Sequence, residues 1–286
     1  MLLKSVLPFV AIWLFLLALL LRSSNRLLGR AAGAFGWTVV AFYCWLEAAE
    51  YLAQAEYFDA GVDFVFLGFS LLLAVLLAKP LVKAGEKEGE GLLFRITKMA
   101  LLTAVCYFPF SEISLLGDAL IFATAKLTTV LLNLVSGGVG VFLVPPSYIY
   151  SSSASFRELY NPIQIILPCT AIQSIVLFVG LVFAVDAPLS RKLKAFLVSV
   201  PVIYLLNLVR NMFVVAAYFE QWFGGSPDES FFIAHGVIAR VGAMLALVVV
   251  AYAVFVVLPE ALDLVEEFFR FLGGLLKATF SRRING

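Results

Sequence analysis

The sequence predicts an all-α, polytopic membrane protein: a bundle of seven or eight transmembrane helices with an amphipathic C-terminal helix. Two observations predict it. Of the 286 residues 63% are apolar and 14% charged, with a strongly positive mean hydropathy, and that charge content is about half the share usual in a soluble domain. Apolar runs longer than about 18 residues, the length that crosses a bilayer, also recur along the whole chain. The net charge of +1 gives no basis for nucleic-acid binding. Cys44, Cys106 and Cys169 follow no disulfide or zinc spacing. No metal or nucleotide motif is visible, so no cofactor is expected.

The expected spans are 5–21, 35–54, 61–82, 96–111, 163–186, 195–219 and 230–258. Met1–Arg22 resembles a signal peptide in outline but lacks a small-residue cleavage site, and it reads as the first span. The apolar segment 116–144 carries Asp118 and Lys126 and ends in "SGGVGVFLVPPS", which suggests a re-entrant or surface-lying piece, with an eighth plain span as the alternative. Lysines and arginines fall after the first span (Arg22, Arg26, Arg30), after the third (Lys79, Lys83, Lys87, Arg95, Lys98), at 191–194 and in the tail. The bias of basic loops towards the cytoplasm then gives seven crossings with the N-terminus outside and the C-terminus inside. Residues 145–162 form a polar, Tyr/Ser-rich outer loop, and 220–230 form a second. In domain terms, 1–258 make one transmembrane domain, its chemistry concentrated at 160–245. Residues 259–286 form an amphipathic tail on the cytoplasmic surface.

Polar residues converge at one depth. Cys169 lies early in the span 163–186, Arg210 about nine residues before the outer end of 195–219, and His235 early in 230–258. At 1.5 Å per residue all three sit roughly 10–14 Å below the same boundary if these spans are consecutive hairpins. A lone cysteine in a membrane helix is usually a small apolar filler, as Cys44 and Cys106 are read here. An intramembrane arginine is a functional candidate by default, and the structural alternative is an ion pair with Glu47 or Glu50. A thiol beside a guanidinium or imidazolium favours its thiolate, the nucleophilic form. Asn207, Arg210 and Asn211 share one helical face, as do Cys169 and Gln173. Together these groups can hold a peptide carbonyl and stabilise an oxyanion, which points to cysteine-dependent acyl transfer at the outer leaflet.

"PCTAIQS", "NLVRNMFVV" and "AHGVIAR", in that order across 160–245, resemble the exosortase/archaeosortase family, and most closely its archaeal branch. The resemblance implies a transpeptidase in the cell membrane. Its partners would be surface-protein precursors whose C-terminal sorting signal combines a short motif, of Pro-Gly-Phe type, with an apolar stretch and a basic tail. Processing in that branch is coupled to attachment of a membrane lipid. It further implies Cys169 as nucleophile and Arg210 as oxyanion partner, with Asn207, Asn211 and Gln173 beside the substrate. Either His235 or Arg240 would be the third catalytic group. These two are about 140° apart round a helix; depth favours His235, while Arg240 also lacks another reason to be there. A soluble sortase uses the same Cys/His/Arg trio on an unrelated fold. The competing reading is a transporter or channel that binds an anion at Arg210 and Arg240 and relays protons through Glu47 and Glu50. A scaffold subunit with structural ion pairs is a third.

Overall fold

The computed structural model describes residues 2–79, 86–135 and 140–284. The chain divides into two compact units: Met1–Phe108 with Phe183–Asp186 and Glu260–Gly286, and Pro109–Val182 with Ala187–Pro259.

In the first unit α1 (Leu2–Ser24) and α2 (Arg26–Ala53) form a hairpin whose corner is capped by Asn25, its side chain accepting from the Leu28 N–H at 3.1 Å. Cβ atoms added at Gly29 and Gly36 would meet the α1 backbone at Arg22 and the Phe15 ring, at 3.0 and 2.6 Å. Small residues at this seam let the two backbones approach, the usual basis of helix association where burial from water supplies no drive. α3 (Tyr57–Ala78) packs on α2, and α4 (Glu86–Glu112) joins it through the Trp37 indole, which donates to Thr97 at 3.0 Å. Arg30 reaches the end of α3: its Nε donates to the Leu77 carbonyl at 3.1 Å, one Nη donates to the carbonyls of Leu76 and Lys79, and the Glu90 carboxylate lies 3.8 Å away. Arg26 grips Glu90 with two further bonds. The C-terminal helix of the chain, Pro259–Ile284, belongs to this unit; its Glu267 pairs with Arg95 and its Phe268 meets Phe69 edge-on.

The second unit opens with α5 (Ser114–Val135) and then leaves the helical pattern. β1 (Val141–Val144), β2 (Tyr148–Ser151) and β3 (Ile163–Gln164) form a small antiparallel sheet in that order, with Phe142 opposite Tyr150 and Tyr148 opposite Gln164. Between β2 and β3 lies the short α6 (Ala154–Leu159), from which Arg157 donates to the Ser151 carbonyl at 2.7 Å. The outer edge of β1 is closed by a side chain: Asn133 of α5 donates to the Val141 carbonyl at 2.8 Å and accepts from the Val141 N–H at 3.0 Å, as a neighbouring strand would. A 3₁₀ turn (Leu167–Thr170) leads from β3 into α7 (Ile172–Ala184), and α8 (Leu189–Phe219) follows. Then come α9 (Pro227–Phe231), a π-helical segment (Phe232–Ile238) and α10 (Ala239–Val257); Pro259–Ile284 is α11. The core of the unit joins Ala125 and Leu132, the sheet residues Val141, Ile149 and Ile163, and Val215 and Tyr218 of α8.

The expected helical membrane bundle is present. Among the described residues seven helices are long and apolar enough to cross a membrane: α1 to α5, α8 and the α9–α10 unit. Two details differ from expectation. The segment read as re-entrant contains a continuous 22-residue helix, α5, which carries Asp118 in its second turn. The segment 163–186 is not one span: Pro162 and Pro168 hold its first residues in strand and 3₁₀ form, and a 13-residue helix remains. The 145–162 loop carries β2 and α6.

Candidate active site

Cys169 sits in the 3₁₀ turn, half-buried. The turn closes locally: the Cys169 N–H donates to the Ile166 carbonyl at 2.8 Å, and the Thr170 hydroxyl donates to the Leu167 carbonyl at 2.7 Å. Ala171 ends it in the left-handed region at φ 60°, a conformation that costs a residue with a Cβ about 1–2 kcal/mol. From α8, the Asn207 and Asn211 amides, one turn apart, both donate to the Cys169 carbonyl, at 2.7 and 2.9 Å. The two asparagines are buried, and between them they hold the peptide that carries the thiol.

Arg210 lies on the same face of α8, close enough to Cys169 for their charges to interact. Its guanidinium also meets the Asn211 side-chain oxygen at 3.5 Å and His235 Nδ1 at 3.4 Å. Arginine cannot give up its proton, so Nδ1 is the acceptor in this contact and a neutral imidazole carries its hydrogen on Nε2. Among the described residues no carboxylate pairs with Arg210. Glu47 and Glu50, the two acids that an ion-pair reading would assign to the arginines, instead bind Lys4 at 3.0 and 2.5 Å.

His235 lies in the π-helical segment, where the chain runs i to i+5: the Ala239 N–H bonds the Ala234 carbonyl. Such widened turns recur at functional sites. The imidazole stacks on Phe231, with ring centroids 5.0 Å apart and planes 7° from parallel. Arg240 begins α10 and lies close enough to both Arg210 and His235 for its charge to act on them. Cys169, Asn207, Arg210, Asn211 and His235 are thus joined in one network, and Arg240 borders it. Gln173, exposed at the start of α7, makes none of these contacts.

Two further residues shape the site and were not singled out from the sequence. Phe231 orients the imidazole; its place four residues before His235, one turn away, was the available signal. Tyr218 donates to the Asn161 carbonyl at 3.0 Å and so ties α8 to the segment that leads into β3.

The family model described as transmembrane exosortase matches residues 4–256. Archaeosortase A of Haloferax volcanii is 28% identical over 291 residues, with 93% of each chain covered. Archaeosortase A of Natronomonas pharaonis is 28% identical over 280 residues, with 83% of this chain and 88% of the relative covered. No solved structure matches the chain.

Proposed function

The chain belongs to the transmembrane exosortase family, and from that premise we propose that it is a membrane-embedded cysteine transpeptidase. Its substrates are surface-protein precursors with a C-terminal sorting signal of Pro-Gly-Phe type, and the acyl group passes to a lipid-linked acceptor at the extracytoplasmic face. One observation carries the reading: a guanidinium that has no carboxylate partner among the described residues meets an imidazole and lies within electrostatic reach of a thiol.

In the acylation step Cys169 Sγ attacks the scissile carbonyl, and the thiol proton passes to His235 Nδ1, which the Arg210 guanidinium releases as it turns to the oxyanion. Arg210 stabilises the oxyanion with a planar fork of donors. Collapse of the tetrahedral intermediate breaks the C–N bond, and the imidazolium proton goes to the departing amine. A hydroxyl of the acceptor then attacks the thioester, loses its proton to His235 and releases the Cys169 thiol. Asn207 and Asn211 hold the nucleophile's backbone through both steps. Arg240 adds positive charge at the rim, where a developing anion or the acceptor's headgroup would feel it. The contact between His235 and Arg210 makes the histidine the better third catalytic group.

The test is processing of a tagged precursor that ends in Pro-Gly-Phe, an apolar stretch and basic residues. Cys169→Ala should abolish processing while the protein still accumulates in the membrane; normal processing by that variant would refute the enzyme reading. In the same assay His235→Ala should cost more than Arg240→Ala. The reverse order would transfer the third role to Arg240.

A further inference from the structure

The three-stranded sheet has two outer edges, and the chain treats them differently. In the β1–β2 ladder the Ser152 N–H bonds the Gly140 carbonyl at 2.7 Å, so Val141, one position along, turns its N–H and C=O away from β2. Those are the groups that Asn133 satisfies. The same alternation governs β3. The Ile165 N–H bonds the Ser147 carbonyl at 2.8 Å, so Gln164, opposite Tyr148, turns its N–H and C=O to the open side. Ile166, two positions on, is extended at φ −115° and directs its N–H the same way. Among the described residues no group bonds the Gln164 N–H or C=O, or the Ile166 N–H, on that side.

This open edge runs into the nucleophile. The Ile166 carbonyl is the acceptor for the Cys169 N–H, so the edge ends where the catalytic turn starts. Three residues of 3₁₀ turn rise about 6 Å, which is about two residues of an extended chain. The side chains alternate to match: Ile163 and Ile165 point into the core, while Gln164 and Ile166 are exposed. A sheet edge left unpaired is a template for another strand, and folded proteins generally block such edges unless they use them. Here one edge is blocked by a dedicated asparagine and the other is left open, three residues from a candidate nucleophile.

We propose that the substrate binds by strand addition: the extended segment flanking the scissile bond pairs with the Gln164 and Ile166 edge of β3, which delivers its carbonyl to Cys169. Main-chain bonds would then supply affinity and register, with no part taken by the Gln164 side chain. The inference rests on the catalytic reading above and adds to it how the peptide is held.

The experiment uses the full chain in detergent with a synthetic peptide that carries the Pro-Gly-Phe signal, its apolar stretch and its basic tail. Backbone amides flanking the motif are N-methylated one at a time. Strand addition predicts a period of two, with alternate positions raising KM about fivefold, the value of one lost hydrogen bond, and the positions between them neutral. Gln164→Pro deletes an N–H that no protein group uses, so the ladder survives. It should raise KM about fivefold while leaving the rate of Cys169 alkylation unchanged, whereas Gln164→Ala should be neutral. A flat methylation scan, or Gln164→Ala as harmful as Gln164→Pro, would overturn strand addition while leaving the enzyme intact. If Gln164→Pro changes the oligomeric state instead of KM, the edge binds a second copy of the chain and the proposal is wrong. If the wild-type chain processes no such peptide, the catalytic reading falls and the substrate strand falls with it.

Discussion

Arg30 and Arg210 both sit in apolar helices, one in each unit, and their surroundings are opposite. Arg30 is buried among three carbonyls at the end of α3 and the Glu90 carboxylate, which Arg26 also grips. Carbonyls at a helix C-terminus carry partial negative charge, and with the shared carboxylate they offset much of the guanidinium's charge. Arg210 has an amide oxygen, an imidazole nitrogen and a thiol. None of these cancels its charge unless the thiol ionises. An arginine set among backbone carbonyls and a carboxylate holds helices together, and one with neither is available to an anion that appears during reaction.

The comparison breaks most readily at the two arginines themselves. Arg30→Ala should strip Glu90 of part of its compensation and cost about 3–5 kcal/mol of stability, seen as poor recovery of folded protein and a lowered thermal midpoint. Arg210→Ala should leave the midpoint in place and lower kcat about 10²- to 10³-fold, as loss of an oxyanion donor does. Arg210→Lys should also fail, because an ammonium lacks the planar fork. If both alanine variants lose stability equally and both retain activity per folded molecule, the distinction between them disappears.

A smaller effect sharpens the picture within the site. Asn207→Ala and Asn211→Ala each remove one of two bonds to a single carbonyl, so each should lower kcat roughly fivefold with KM little changed. The double variant should lose more than the product of the two, since the carbonyl is then left bare. Smallest of all, Phe231→Leu removes the surface on which His235 stacks, worth about 0.5–1.5 kcal/mol, a few-fold fall in kcat measured with the same peptide.

The bundle was legible in the sequence because hydropathy over some twenty residues survives any local irregularity. Counting residues at a helical rise suits Arg210 in α8, but not Cys169, which lies in strand and 3₁₀ backbone ahead of α7 where that rise does not apply. What escaped the reading was backbone that departs from the helix. β1 and β2 are four residues each, too short for alternation to stand out beside long apolar runs. The apolar stretch after residue 162 hid a strand and a 3₁₀ turn that Pro162 and Pro168 should have signalled. Asn207 and Asn211 were recognised as members of one polar face, yet their shared acceptor, the Cys169 carbonyl, could not be read from spacing. Asp118 and Lys126 made α5 look too polar to be continuous. In the fold Lys126 lies over the Phe122 ring, 5.9 Å from its centroid, which lets a cation and an aromatic ring share one helix face.

The widened turn at Phe232–Ile238 has a consequence for how this region can vary in length. Its extra residue sets the phase of the helix between Phe231 and α10. Deleting one residue there would relax the segment to an ordinary α-helix and turn His235 about 100° relative to everything beyond it, away from either Arg210 or its stacking partner. Replacing a residue such as Ile233 with another apolar one leaves that phase alone. Libraries built across this stretch should therefore retain many substitutions and almost no single-residue deletions, a pattern that deep sequencing of active clones can read directly.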